Sequence, residues 1–101
     1  MNDRLNDKKH IIWAKKVKER DNYTCQLCLV KTSDVLHSHH IFSYDIHINQ
    51  RYKLDNGITL CQYHHSLFHS IAGLGSNNKK QFEEFKKFIT LLYKVAKNNI
   101  K

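Results

Sequence analysis

Three cysteines and one histidine are spaced in this sequence as the ligands of a structural metal ion usually are. Two residues separate Cys25 from Cys28, and two residues separate Cys61 from His64. This spacing lets both members of a pair reach one ion, and three thiolates with one imidazole form an established tetrahedral zinc set. We therefore predict a structural Zn2+ on these four side chains. His65, beside His64, is an alternative fourth ligand, and small buried cysteines without any metal are the other interpretation.

Four further histidines could form a second metal site with open coordination positions. His65 and His69 lie four residues apart, so on a helix they share one face. His39 and His40 lie in a predicted strand and point to opposite sides of it, which suggests one metal ligand and one general base. Three imidazole ligands would leave room on the ion for water and substrate, as catalysis requires. The alternative is a set of surface histidines without a common ligand, which we expect for the remaining three, His10, His37 and His47.

Short elements must bring these ligands together, and the predicted fold class is α+β. Hydrophobic periodicity and turn residues predict an N-terminal helix, two strands, a second helix and a C-terminal helix, over 9–20, 35–42, 58–60, 62–72 and 79–97. The C-terminal helix has apolar residues at alternating spacings of three and four, with lysines opposite, at Phe82, Phe85, Ile89, Leu92 and Ala96. The length of 101 residues predicts a single domain over 1–101, in which 23–72 holds the zinc knuckle and the metal core.

The net charge of +8 is concentrated at the two ends of the chain. Residues 1–20 hold seven basic and three acidic residues, and residues 79–101 hold seven lysines and two glutamates. Residues 21–78, which contain the cysteines and most of the histidines, are close to neutral. Two basic ends could grip a polyanion such as nucleic acid and present it to the centre. The alternative is that lysine-rich helices are merely well solvated.

Composition also excludes some classes of protein. No apolar run approaches the roughly 20 residues needed to span a bilayer, and the first residues contain no signal-peptide stretch. Three cysteines, an odd number, disfavour a closed disulfide framework. We therefore expect a protein of the reducing cytoplasm, where thiols are free to bind metal.

The arrangement of these residues resembles the HNH nucleases, also called ββα-metal or His-Me finger nucleases, which include the colicin DNases and many small phage-encoded endonucleases. The matching residues, in order, are His39, His40, Asn56, His65 and His69. The flanking segments resemble the zinc-stapled branch of that family, namely 20–28 (RDNYTCQLC) and 54–61 (LDNGITLC). The resemblance covers about residues 13–70 and implies a treble-clef-like ββα-metal core. Here His64 stands where a second cysteine is usual.

The resemblance also implies a role for each matching residue. His39, His65 and His69 would bind a catalytic divalent ion, which could be Mg2+, Mn2+, Ni2+ or Zn2+. His40 would take the proton from the attacking water, since a neutral imidazole can accept one at pH 7. Asn56 would either brace the loop and orient His40 or bind the metal. Products would carry 5′-phosphate and 3′-hydroxyl ends.

The expected partner is DNA, contacted mostly through its backbone, and not a membrane. Arg20 lies in the family-like flank, while Arg51 and Lys53, in the loop between the strands, could hold phosphates or could be ordinary solvated loop residues. A second copy of the chain and phage packaging proteins remain open as further partners. One rival function is a non-catalytic zinc-finger module that binds DNA. The other is a nuclease directed at RNA, because no feature of the sequence shows whether the site would recognise the 2′-hydroxyl that distinguishes RNA from DNA.

Overall fold

The structure, a computed structural model, describes residues 3–28, 35–73 and 75–99. These ranges contain two antiparallel strands and three α-helices, in the order α1 (Lys8–Arg20), β1 (Leu36–His40), β2 (Gly57–Cys61), α2 (Gln62–Ala72) and α3 (Lys79–Asn99). Short 3-10 turns lie at Asp3–Asn6, Ile48–Gln50 and Leu54–Asn56. The predicted α+β class is confirmed, and every predicted element is present with bounds that differ by at most two residues.

Helix α1 is capped at its start and packs against the sheet through one face. The Asp7 carboxylate accepts a hydrogen bond from the backbone N–H of His10 at 3.2 Å, which satisfies a free amide of the first turn. Trp13 and Val17, one turn apart, are buried. They press on the backbone of Gly57, where a Cβ would collide with Val17 and lie 2.7 Å from the indole. Glycine is required at this close approach of helix and strand.

The register of the two strands places the adjacent histidines on different layers of the protein. His39 pairs with Ile58, and His40 pairs with Gly57. Because side chains alternate across a strand, His39 faces α2 and α3 whereas His40 faces α1. The opposite orientation of the two rings, predicted from the sequence, is confirmed.

Strand β1 ends at His40, although the sequence predicted it to continue to residue 42. The backbone N–H of Phe42 donates to Oδ1 of Asn56 at 2.8 Å, and not to a carbonyl of a partner strand. The ladder cannot continue past this point, and the chain turns into the long connection over residues 41–56.

An apolar cluster lies between β2, α2 and α3. Its largest aliphatic and aromatic members are Leu60, Phe68, Phe82, Phe85 and Ile89. Helix α2 ends at Ala72 and is followed by Gly73, whose positive φ of 91° is a conformation that favours glycine.

Only the first half of α3 packs on this cluster. Leu92 and Ala96, which we predicted to share the buried face, are exposed. The physical reason is length, since the 21 residues of α3 extend about 31 Å whereas the 11 residues of α2 extend about 16 Å. No helix in the described ranges is long and apolar enough to cross a bilayer.

Candidate metal centres

The first centre brings three cysteines and His64 together between the knuckle after α1 and the junction of β2 with α2. Nδ1 of His64 lies 3.3 Å from Sγ of Cys28, 3.3 Å from Sγ of Cys61 and 3.7 Å from Sγ of Cys25. Cys61 also caps α2, with its sulfur 3.5 Å from the backbone nitrogen of His64. All four candidate ligand atoms lie within 4.8 Å of one another. This Cys3His set is compatible with a structural metal such as zinc.

The chemistry of the three thiols also fits a bound cation. Burial, the thiol of Cys25 and then that of Cys61 raise the pKa of Cys28 to about 12. Cys28 is therefore a thiol at neutral pH unless a positive charge compensates its thiolate, and metal-bound cysteines are thiolates. The donor set fits Zn2+, which prefers sulfur and nitrogen ligands in tetrahedral geometry.

A residue of α3 completes the surroundings of His64. The hydroxyl of Tyr93 lies 2.8 Å from Nε2 of His64, the ring nitrogen that faces away from the thiols. Burial, then the charge of Cys28 and a hydrogen bond with that thiol, raise the pKa of Tyr93 to about 12. The sequence contains no signal for this contact, because Tyr93 and His64 belong to different helices.

The second centre consists of His39 on β1 and of His65 and His69 on α2. The Nε2 atoms of His65 and His69 are 3.2 Å apart. The ring centroid of His39 lies 5.6 Å from that of His65 and 5.5 Å from that of His69. One ligand atom from each residue lies within 4.8 Å of the others. Nε2 of His39 is buried and has no hydrogen-bond partner among the described residues. A buried nitrogen without a partner is costly, so this lone pair is suited to a metal ion at the centre of the cluster.

Burial favours the neutral imidazole at His39 and His65. Burial, and then the charges of His65 and His69, lower the pKa of His39 to about 2. Burial, followed by the charges of His37 and His69, lowers the pKa of His65 to about 4. Neutral imidazole is the form that binds metals.

His40 points to the opposite side of the sheet and is held by two contacts. Its ring stacks on the indole of Trp13, and its Nε2 lies 3.0 Å from the backbone carbonyl of Arg51. A carbonyl can only accept, so Nε2 carries the proton and Nδ1 carries the lone pair. Burial lowers the pKa of His40 to about 4, although the hydrogen bond to Arg51 raises it. His40 is therefore a neutral ring with a fixed tautomer.

Asn56 ties together the connection that follows β1. Its Oδ1 accepts from the N–H of Phe42 at 2.8 Å, and its Nδ2 donates to the carbonyls of Phe42 and Gln50, both at 3.1 Å. Of the two roles that the family resemblance left open, these contacts favour bracing of the loop, because the amide oxygen is already engaged.

Two histidines that we expected to be unconnected surface residues lie against the sites. His37 stacks on His65 with ring centroids 4.4 Å apart, and His10 stacks on His40 at 5.4 Å. His47 lies outside both clusters, against Phe42. No spacing in the sequence links these rings to their partners, since each pair joins two separate elements.

A small polar cavity is lined both by the second centre and by His40. It has a volume of about 100 Å³, and its lining includes Arg4, Ser38, His39, His40, His65 and His69. The three candidate metal ligands and the candidate base therefore open into the same space. Arg4 was not identified from the sequence; it precedes α1, and its guanidinium lies over the ring of Tyr44.

The three residues predicted to bind DNA differ in their surroundings. The guanidinium of Arg20 donates to both oxygens of Asp21 and to the carbonyls of Leu54 and Gly57, so it ties α1 to β2. Arg51 donates to the carbonyl of Tyr44 and lies 4.0 Å above that ring. Lys53 is exposed. Of the three, Lys53 is the side chain most available to a ligand.

Comparison with known proteins yields no relative. No protein-family model, no curated protein and no solved structure matches this chain. The chemistry of the two centres therefore has to be derived from their own geometry.

Proposed function

We propose that this protein is a metal-dependent endonuclease of the HNH kind, which hydrolyses DNA phosphodiester bonds to 5′-phosphate and 3′-hydroxyl ends. The observation that supports this most is the single cavity onto which His39, His65 and His69 open together with His40. The order β1, β2, α2 supports a ββα-metal core, in which the strand supplies one ligand and the helix supplies two. At the other end of the sheet, the Cys3His centre would tie the knuckle after α1 to the junction of β2 with α2.

His39, His65 and His69 would hold the catalytic ion. A divalent ion held there would withdraw charge from the scissile phosphate and stabilise the leaving 3′-oxygen, an effect worth several kcal/mol. Three imidazole nitrogens suit Zn2+ or Ni2+ better than Mg2+, which prefers oxygen ligands. We therefore expect the transition metals to support more activity than Mg2+.

His40 is the general base of this proposal. Its Nδ1 lone pair takes a proton from the attacking water, while its Nε2–H remains on the Arg51 carbonyl and keeps the ring in place. A phosphate in the cavity would raise the pKa of His40 from its low value, because a nearby negative charge favours the protonated ring. The bound substrate would thereby make the base stronger when it is needed.

Arg4 at the cavity and the exposed lysines of α3 support a polyanionic substrate. Arg4 lines the cavity itself and can bind a phosphate oxygen there. The lysines of α3 lie on its solvent side, at Lys79, Lys80, Lys86, Lys87, Lys94 and Lys97. Such contacts act on the backbone of any sequence, so we expect binding that is largely sequence-neutral and weakens as salt is raised.

A cleavage assay on supercoiled plasmid tests the proposal. The zinc-loaded protein is incubated with Mg2+, Mn2+, Ni2+ or additional Zn2+, and nicked or linear products are expected with at least one ion. DNA ligase should reseal the nicks, since it requires 5′-phosphate and 3′-hydroxyl ends. DNA binding without cleavage under every ion would indicate a non-catalytic zinc-finger module. Cleavage of RNA alone would indicate an RNA-directed nuclease, and either result would overturn the DNA endonuclease.

A further inference from the structure

Within the described residues, the last turns of α3 form one side-chain hydrogen bond with the rest of the protein. From residue 90 to residue 98 every side chain is exposed, because the apolar cluster ends at Ile89. Within the described residues, Tyr93 is the side chain of these turns that hydrogen-bonds outside the helix, to Nε2 of His64. The ring of Tyr93 also meets the His64 ring edge-on, with centroids 5.9 Å apart.

The direction of this hydrogen bond follows from the position of the thiols. Nδ1 of His64 faces three sulfurs at 3.3 to 3.7 Å and is the nitrogen that would bind the metal. Nε2 must then carry the ring proton, and it donates to the hydroxyl oxygen of Tyr93. The hydroxyl of Tyr93 therefore acts on the Cys3His centre through the ring of His64.

We propose that Tyr93 is a positioning residue of the Cys3His centre, and that it couples metal binding at this centre to docking of the last turns of α3. Partners of this kind fix the tautomer and orientation of a histidine ligand and increase metal affinity. By thermodynamic reciprocity, a bound metal must then hold the helix as strongly as the helix favours the metal. The proposal depends on metal binding by the three cysteines and His64, and not on nuclease activity.

Zinc affinity of Tyr93→Phe tests the positioning role. The substitution removes only the hydroxyl, and we expect zinc to bind 10-fold or more weakly, measured by competition with a chromophoric chelator. Tyr63→Phe is the matched control, because Tyr63 also meets the His64 ring edge-on at 5.3 Å, whereas its hydroxyl has no hydrogen bond within the described residues. The control should bind zinc within about two-fold of the unsubstituted chain. The Co2+ spectrum of both variants should keep the charge-transfer bands of a thiolate site. Equal zinc affinities in Tyr93→Phe and the control would overturn the positioning role.

Hydrogen exchange tests the coupling, and it remains informative if the variant is less stable. With zinc saturating, amides 90–98 of Tyr93→Phe should exchange at least 10-fold faster than those of the unsubstituted chain, while amides of α2 should be unchanged. In the unsubstituted chain, removing zinc should deprotect 90–98 more than it deprotects 82–89. Unchanged exchange at 90–98 in both experiments would overturn the coupling.

Discussion

The indole of Trp13 lies flat against the imidazole of His40, with ring centroids 3.8 Å apart and planes inclined by 15°. The two rings also donate to carbonyls of one loop, because Nε1 of Trp13 lies 2.8 Å from the oxygen of Lys53 and Nε2 of His40 lies 3.0 Å from that of Arg51. The candidate base is therefore held on one face by α1 and at one edge by the loop that follows.

Trp13 should matter to the proposed reaction through the orientation of His40. Trp13→Phe keeps a flat ring beside His40, whereas Trp13→Leu does not. Both leave a gap in a buried site, larger for Trp13→Leu, and both remove the indole N–H that donates to the carbonyl of Lys53. We expect each to lower the free energy of unfolding by about 1–3 kcal/mol, but only Trp13→Leu to reduce the cleavage rate by on the order of 100-fold. The cleavage rates of the two variants are compared at a temperature at which both variants are folded. Equal losses in the two variants would show that the stack does not orient His40.

Removing the candidate base should separate the proposed catalysis from binding. His40→Ala is expected to abolish plasmid cleavage, because no other group supplies the Nδ1 lone pair, while leaving metal content and DNA affinity close to those of the unsubstituted chain. His47→Ala is a suitable control, since His47 lies outside both clusters. Cleavage by His40→Ala at the original rate would remove His40 from the mechanism.

The adjacent residues His64 and His65 should behave differently. His64→Ala deletes a ligand of the Cys3His centre and should lower both zinc content and the melting temperature, because structural zinc contributes directly to folding. His65→Ala should keep that zinc and remain folded, but lose cleavage. Metal analysis after dialysis and a thermal melt of each variant check this. The reverse pattern would exchange the two roles.

Asn56 should support both the loop and the candidate base. Asn56→Ala leaves the N–H of Phe42 and the carbonyl of Gln50 without their partner, which costs about 1–3 kcal/mol for each group that remains buried. Because the same loop carries the Arg51 carbonyl that holds His40, cleavage should fall as well. Asn49→Ala, at an exposed position of that loop, is the control and should be neutral. Urea unfolding measures the difference, and identical midpoints would show that Asn56 braces nothing.

Stability should fall as the pH is lowered from 7 towards 4. The folded protein keeps His39 neutral down to a pKa of about 2 and His65 to about 4, whereas both accept protons near pH 6.5 when unfolded. The unfolded state therefore binds more protons below pH 6.5, so the free energy of unfolding decreases with acid. For His39 the slope is about 1.4 kcal/mol per pH unit at most. Protons also compete with any bound metal, which acts in the same direction.

Urea unfolding between pH 7 and pH 5 tests this prediction. His39→Asn should make the free energy of unfolding depend less on pH, and urea midpoints that stay constant in the unsubstituted chain would contradict the prediction.

Local periodicity was enough to predict the elements and part of each centre. Two residues between Cys25 and Cys28 let both sulfurs reach one point, and four residues between His65 and His69 place both rings on one helical face, whatever the rest of the chain does. Alternation along β1 likewise separated His39 from His40. These relationships depend on backbone geometry within a few residues, so the sequence alone determines them.

Tertiary packing decided which of these groups meet and what surrounds them. His64 could not be separated from His65 as the partner of the cysteines until β2 and α2 were placed. The Trp13 ring on His40, the Tyr93 hydroxyl on His64 and Arg4 in the cavity each join residues from distant elements. Hydrophobic periodicity in the sequence cannot predict these contacts, because they form only when the helices pack on the sheet at a particular angle and register. Tertiary packing also decided the exposure of Leu92 and Ala96. Their spacing is that of a buried helix face, but they lie beyond the end of the apolar cluster that would bury them.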